Sequence, residues 1–431
     1  MAATDPGQQD APVSPRTANL AALQQDAPSP RTANLAALLR ALRGGPLSRT
    51  QLAARCGITK AAVSGLVTEL SGRGLVRAAG LLAGGNGRPS QLVELNAESA
   101  YGLALSVEAD RFSAVVTNLE GRVIAERTET ADVAALGLHR SMDELAFLAG
   151  EVLSGEQPVG VTVSVPGLVD SAAAVLRFAP TLRWRDAEIA DLMAARLGLT
   201  ADAIVVDNEA NLGAVGEAVA GVGAGVAELF YLSGGMGVGG GLVSGGSILR
   251  GARGFAGEVG HITVDPSGEQ CPCGRVGCLE TKAGLNAVLR AAAAPGDPLH
   301  DPALGVDGRV GLLKHRVQHG DQRAVAAVSE LGVALGVAVV TVVDVLDPDV
   351  VVLGGYFAAL GRWLVEPVRR ELSARPLGHE PSCRIEPSPL GTTAALRGAA
   401  HLATERLFAD PTLAGFAPSS SPTSSTEEAP A

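Results

Sequence analysis

Aromatic side chains make up only 3% of this 431-residue chain, with two Trp, three Tyr and eight Phe. That scarcity excludes a core of stacked rings such as an aromatic-rich β sandwich would use. Apolar residues still amount to 47%, and there are 54 Gly, so α/β layers with close backbone approaches are expected. A long hydrophobic run is also missing. The longest, Leu331 to Val343, is stopped by Asp344 and Asp347 and falls short of the roughly 20 residues that cross a bilayer. The opening MAATDPGQQDAPVSP is polar and Pro-rich, with no apolar segment of a secretory signal. Cysteines number five, three of them crowded between positions 271 and 278. Without an export signal, that grouping argues for metal rather than disulfides. These absences predict a soluble, cytoplasmic protein of two or three domains, with no membrane partner.

Charge is present but uneven. The chain carries −11 overall. Between Arg31 and Leu95, nine basic residues (Arg31, Arg40, Arg43, Arg49, Arg55, Lys60, Arg73, Arg77, Arg88) face two acidic ones, Glu69 and Glu94. That segment is therefore +7 and the remainder −18. A small basic module on an acidic body is the footprint of a nucleic-acid reader.

The N-terminal stretch holds a duplication: QQDAPVSPRTANLAAL (8–23) recurs as QQDAPSPRTANLAAL (24–38). Only the second copy continues into a longer apolar pattern. Residues 1–30 are accordingly expected to be a disordered extension, as is a tail over 406–431, whose end APSSSPTSSTEEAPA is Ser- and Pro-rich.

From residue 31 to 97 the pattern predicts a winged helix-turn-helix. Leu35, Leu38, Leu39 and Leu42 recur at i, i+3, i+4, i+7, one helix face. Gly44, Gly45 and Pro46 end that helix. Ser48 with Gln51 is a capping-box pair, opening a short helix around Leu52. Cys56–Gly57 form a turn, and Thr59 caps a third helix whose stripe is Val63, Leu66, Val67 and Leu70. Two β-like runs, near Leu75–Ala79 and Gln91–Leu95, flank a Gly-rich loop holding Arg88. In helix-turn-helix proteins the start of the second motif helix enters the major groove. The residues placed to face DNA are Lys60, Ala61, Ser64, Gly65 and Thr68 on that helix, Arg88 at the wing tip, and Arg31, Asn34 and Arg49 beside them.

From Tyr101 strands alternate with helices. YGLALSVEADRFSAVVTNLEGRVIAER reads as two strands in a hairpin around Glu120–Gly121. PVGVTVSVPGLVD, AIVVDNEAN, ELFYLSGGMGVGGGLVSGG and DVVVLGG read as buried strands ending in polar or Gly-rich loops, with helices such as Ala187–Leu197 and Ala324–Val343 between them. Ligands collect at the carboxyl ends of such strands.

These motifs together resemble the ROK family of repressors, open reading frames and sugar kinases, over roughly residues 31 to 405. The helix-turn-helix segment is similar to the DNA-binding part of the repressor branch. VPGLVD, VDNEANLGAVGE, GVGGGLVSGG, GEVGH, CPCGRVGCLE and DPDVVVLGG are similar to the sugar-kinase body. The resemblance implies, for residues 98–405, the two-lobed actin-like, ribonuclease H-like ATPase fold. It implies a structural Zn2+ held by His261, Cys271, Cys273 and Cys278, and sugar hydroxyls met by Asn208, Glu209, Glu258, His261 and Glu280. The residue types agree: three thiolates and an imidazole fill a tetrahedral site with no open position, and carboxylates accept from vicinal hydroxyls.

Three departures from the kinases of that family concern the nucleotide. Where the kinases carry Asp-x-Gly-Gly-Thr, this chain has Ser106, Val107, Glu108, Ala109 and Asp110, which sets negative charge against phosphate. Their Thr-x-Gly-Thr-Gly loop is Ser233-Gly234-Gly235-Met236-Gly237, and Met236 cannot donate a hydrogen bond. Their catalytic Asp is Glu209. On the sugar side, an Asn before a Trp is replaced by Thr181 in APTLRW. The expected protein is a non-enzymatic, sugar-responsive transcriptional regulator. It would be a repressor that works as a homodimer or homotetramer on operator DNA and shifts state when a sugar or sugar derivative closes the two lobes. The rival readings are an active sugar kinase with a fused DNA-binding domain, and a DNA-binding protein that no longer answers to a ligand.

Overall fold

The computed structural model describes residues 28–82, 90–375 and 382–416. Most of the duplicated extension, the wing-tip residue Arg88 and the Ser-rich end lie outside the described residues. The chain forms two compact units.

The smaller unit contains Ala27–Tyr101, the turn Asn118–Arg122 and the chain from Thr404. Helix α1 (Pro30–Leu42) is capped by the Ser29 hydroxyl, which accepts from the Thr32 amide. Leu35, Leu38 and Leu39 are completely buried, about 1.5–3 kcal/mol of transfer free energy each. Strand β1 (Leu47–Ser48) leads into α2 (Arg49–Cys56), where both halves of the Ser48/Gln51 capping box form. Gly57, left-handed at φ 67°, ends α2. Thr59 caps α3 (Lys60–Gly72), which buries Val63, Leu66, Val67 and Leu70 as its spacing requires. Strands β2 (Val76–Leu82) and β3 (Ser90–Leu95) pair antiparallel, and β1 adds to β3.

The end of the chain departs from the expected tail after 405. It is helical to Ala409 and stays ordered to Phe416. Glu405 pairs with Arg43 and, at 3.6 Å, with Arg40. The Arg43 guanidinium lies 3.5 Å above the Phe408 ring. Arg73 donates to the Thr412 and Ala414 carbonyls at 3.1 and 2.6 Å and covers Phe416. Arg43 thus joins a buried ring to a carboxylate, and Arg73 an exposed ring to two carbonyls.

The larger unit has two lobes, each built on a five-stranded sheet. The first sheet is formed by β4 (Tyr101–Val107), β5 (Arg111–Asn118), β6 (Val123–Thr130), β7 (Gly160–Val165) and β11 (Ile204–Asn208), in the order β11-β7-β4-β5-β6. The single hairpin expected over 101–127 is in fact three strands. A tight reversal at Glu108–Asp110, closed by the Glu108 amide on the Arg111 carbonyl at 3.0 Å, splits the first one. Helix α4 (Leu138–Leu153) follows β6. Between β7 and β11 sit a small antiparallel sheet of β8 (Leu168–Asp170), β9 (Val175–Ala179) and β10 (Trp184–Ala187), and helix α5 (Ile189–Leu197). Helix α6 (Glu209–Ala220) begins directly at the end of β11.

The second sheet runs β14-β13-β12-β15-β16, with β12 (Glu228–Gly234), β13 (Val238–Ser244), β14 (Ser247–Ile248), β15 (Val350–Gly355) and β16 (Arg384–Pro387). Its helices are α7 (Leu285–Ala292), α8 (Gly305–Gln318), α9 (Gln322–Leu346) and α10 (Gly361–Ser373). The apolar run noted above lies within α9, a 25-residue helix long and apolar enough by composition to cross a membrane. Here its Leu331, Leu335, Ala338, Val339 and Val342 are buried in one core with residues of α7, α8 and α10.

Helix α6 sets up the cleft. Ala210 and Ala214 pack into the second sheet with Tyr231 and Val243, while Leu212 packs with Ala104 and Val115 of the first. The final helix, α11 (Ala394–Ala409), crosses α6 at two glycines. A Cβ on Gly216 would lie 2.2 Å from the Ala394 carbonyl oxygen, and one on Gly398 1.9 Å from that of Leu212. With α6 wedged between the sheets, Asn208 and Glu209 are held at the seam of the two lobes.

Candidate functional site

The five residues expected at a sugar line one cavity. It encloses about 490 Å³, within the range of small-ligand pockets, and its walls include Asn208, Glu209, Glu258, His261 and Glu280. The side chain of Asn208 is largely committed. Its Oδ1 accepts from the Ala210 amide at 2.7 Å as the cap of α6, and its Nδ2 donates to the Gly167 carbonyl at 2.7 Å. One amide hydrogen remains for a ligand. Glu280 opens a helical turn (Glu280–Ala283) and accepts from the Val238 amide at 3.3 Å. Glu258 has its carboxyl raised above the usual range by burial and by the neighbouring Glu280 charge. A ligand hydroxyl donating to that pair relieves both costs. Gly167, Phe178, Phe255 and Arg275 also line this cavity. None of the four is singled out in the sequence, because their meeting at one cavity depends on segments far apart in the chain.

Behind the cavity is a cluster of donors. One ligand atom each from His261, Cys271, Cys273 and Cys278 lie within 4.8 Å of one another. Cys271 Sγ is 3.7 Å from His261 Nδ1, and Cys273 Sγ 3.7 Å from Cys278 Sγ. A tetrahedral ion with metal–sulfur bonds of about 2.3 Å has edges of about 3.75 Å, so the donor set fits zinc in kind and in spacing. The loop is built for closeness. The Cys271 amide donates to the Arg275 carbonyl at 2.8 Å, and Gly277, at φ 71°, lies where a Cβ would come within 1.6 Å of the Asp265 carbonyl oxygen. Burial and the neighbouring sulfurs push the Cys278 thiol up to about 12, a cost that a cation reverses. With Nδ1 turned to the cluster, Nε2 of His261 is left to donate.

At the other end of Glu209 a narrow space shares Val306, Asp307, Gly355, Tyr356 and Thr392 with an adjoining cavity of about 470 Å³. The narrow space, of about 100 Å³, is lined by Ser106, Glu108, Asp110, Arg111, Glu209 and the loop Ser233–Gly237. Arg111 ties Glu108 at 3.7 Å, Asp110 at 3.1 Å and Asp307 at 2.6 Å into one network, and Asp110 accepts from the Val306 amide at 2.8 Å. Loss of solvation pushes both Glu108 and Glu209 to about 7, and the Glu209 charge adds to the shift of Glu108. Their folded-state values lie above the unfolded ones, so between about pH 4.5 and 7 the folded chain holds protons that the unfolded chain has lost. Stability therefore falls as pH rises through that window. Glu209→Gln is expected to narrow the gap between melting temperatures at pH 5 and pH 8. Equal gaps in variant and wild type, measured by differential scanning fluorimetry, would reject this account.

In the smaller unit, Lys60, Ala61, Ser64, Gly65 and Thr68 are all exposed along one side of α3. Asn34 and Arg49 are half-buried. Arg31 is exposed but bonded to Glu69 at 2.5 and 2.9 Å. Arg73 shares that glutamate and Arg77 pairs with Glu94 at 2.7 Å. With Arg40 and Arg43 on Glu405, the cations left without a carboxylate among the described residues are Arg49, Arg55 and Lys60.

Residues 103–406 match the ROK family model. The chain belongs to the ROK family. Residues 32–80 of this ROK protein match the MarR family model, in agreement with its winged helix. It is 30% identical over 382 residues to a putative xylose repressor of Caldicellulosiruptor sp. strain Rt8B.4, covering 85% of this chain and 93% of that one. Its fold is that of a ROK family transcriptional regulator described as a homolog of E. coli MLC protein, with TM-score 0.72, 22% identity, and 88% and 97% of the two chains covered. A ROK family glucokinase from Streptomyces griseus, solved with glucose and AMPPNP, matches 71% of this chain and all of its own at 29% identity and TM-score 0.62. The fold is thus an N-terminal winged helix followed by the actin-like sugar-kinase body.

Proposed function

We propose that this ROK protein is a cytoplasmic transcriptional repressor whose kinase-like body senses a sugar without phosphorylating it. A structural zinc on His261, Cys271, Cys273 and Cys278 orders the sugar loop. A homodimer, alone or paired into a tetramer, reads two operator half-sites about one helical turn apart. The observation that carries this reading is the contrast along the cleft. The sugar end holds three carboxylates and an imidazole around some 490 Å³, while the space where the kinases' phosphate loops lie is walled by Glu108, Asp110 and the Arg111 network. The names of its relatives point to xylose or a glucose-like sugar as the first effectors to try. Sugar releases DNA only to the extent that it binds the DNA-free form better.

The test is a gel-shift with operator fragments from the protein's own promoter, in the presence of xylose or glucose, beside a coupled assay for nucleotide consumption. Release of DNA by a sugar with no ATP turnover above background is the expected result. The second reading, a kinase fused to a DNA-binding module, is favoured by Glu209 at the base position and by the glucokinase relative. Sugar-dependent ATP consumption that disappears in Glu209→Ala would establish it instead. If no sugar alters either DNA binding or melting temperature, the body has lost its ligand.

A further inference from the structure

Next to the sugar cavity is a larger one, of about 780 Å³, formed by the small sheet and the loop 250–255. Leu168, Phe178 and Phe255 line both cavities, so the two share a wall. None of its lining residues belongs to the small cavity at Glu108 and Arg111. Four arginines face into it, Arg177, Arg185, Arg250 and Arg253, against two carboxylates, Asp170 and Asp186.

The arginines divide by partner. Arg177 pairs with Asp170 at 2.9 Å and Asp186 at 3.6 Å. Arg250 grips the buried Asp207 through two nitrogens at 3.1 and 2.6 Å. Arg185 and Arg253 have no carboxylate among the described residues. Their guanidinium carbons lie 4.5 Å from the Phe178 centroid and 6.0 Å from the Phe255 centroid. These are the two rings of the shared wall. A guanidinium on an aromatic face keeps its donors free for a carboxylate or phosphate in the adjoining space. The segment presenting Arg185 is also held in an unusual backbone: Ala174, Arg183 and Asp186 all have positive φ without being glycine, a cost that persists where surrounding structure imposes it.

The geometry points to an acidic saccharide as the effector: its sugar ring occupies the cleft and its carboxylate or phosphate reaches past Phe178 and Phe255 to Arg185 and Arg253. This inference rests on the sugar-sensor reading above and narrows the ligand class. A neutral monosaccharide leaves both cations unused.

Isothermal titration of the full-length protein would compare glucose with glucose 1-phosphate and glucose 6-phosphate, and xylobiose with a glucuronosyl-xylose disaccharide. Inorganic phosphate alone serves as the control. At least one acidic ligand is expected to bind about tenfold tighter than its neutral counterpart. Both arginines are exposed, so the Arg185→Ala, Arg253→Ala double variant should melt like the wild type. It should lose the acidic ligand's advantage while binding the neutral sugar unchanged. Neutral sugars binding as tightly as acidic ones, an advantage that survives in the double variant, or inorganic phosphate binding as tightly as the sugar acid would each overturn the inference and leave the sensor reading intact. Failure of every saccharide to bind would remove the sensor reading itself, and this inference with it.

Discussion

Cys278→Ala is expected to lose zinc and to weaken sugar binding together, the sugar affinity by about 10- to 100-fold. Cys278 is completely buried and its segment runs straight into the turn that carries Glu280. The β-bridge between Cys278 and Thr263 closes the loop on the His261 side as well. Removing one of four ligands opens the tetrahedron, and of the two remaining thiols the buried Cys271 is left where burial opposes its ionisation. Both Glu280 and His261 then lose the anchor that aims them into the cavity. Metal content by plasma emission spectroscopy should fall from about one zinc per chain to near zero. Titration with the sugar that wild type binds gives the second readout. Cys383→Ala, remote from the cluster, is the control and should change neither. Full sugar affinity in zinc-free protein would break the link between metal and cleft.

Removing charge from the proposed DNA face of the winged helix should have the other large effect. Replacing both Arg49 and Lys60 by alanine is expected to cost about 1–3 kcal/mol of operator binding per residue and to flatten the salt dependence by about one unit of slope for each phosphate left without its cation. Arg31→Ala and Arg77→Ala should cost far less, because those guanidiniums already answer Glu69 and Glu94. Fluorescence anisotropy across roughly 50–200 mM salt separates the two sets. A ranking in which Arg31 and Arg77 matter more than Arg49 and Lys60 would place the DNA face elsewhere on the unit.

These arginines also mark where sequence reading stops. A count of basic residues over 31–95 treats all nine as equivalent. The fold commits five of them to Glu69, Glu94 and Glu405. Glu405 lies 362 residues from Arg43, so no local pattern announces that pair. Arg55 belongs to the basic count, yet its sequence position does not place it at the DNA face. It emerges as one of the unpaired cations only when its neighbours are seen to be neutralised.

Features legible in the amino-acid order are those that repeat at the period of a helix or strand or sit within a few residues of their partner. The stripes Leu35–Leu42 and Val63–Leu70, the Ser48 capping box, the β11 strand ending at Asn208 and the C-x-C-x4-C cluster are all of that kind, because side-chain direction is set locally by backbone geometry. Packing at long range settles which charges remain free, that Glu108 and Glu209 line one narrow space, and that the β8–β10 sheet and the loop 250–255 meet as an arginine-lined wall beside the cleft. Those are meetings of segments far apart in the chain, and they depend on how the sheets and helices pack once each has formed.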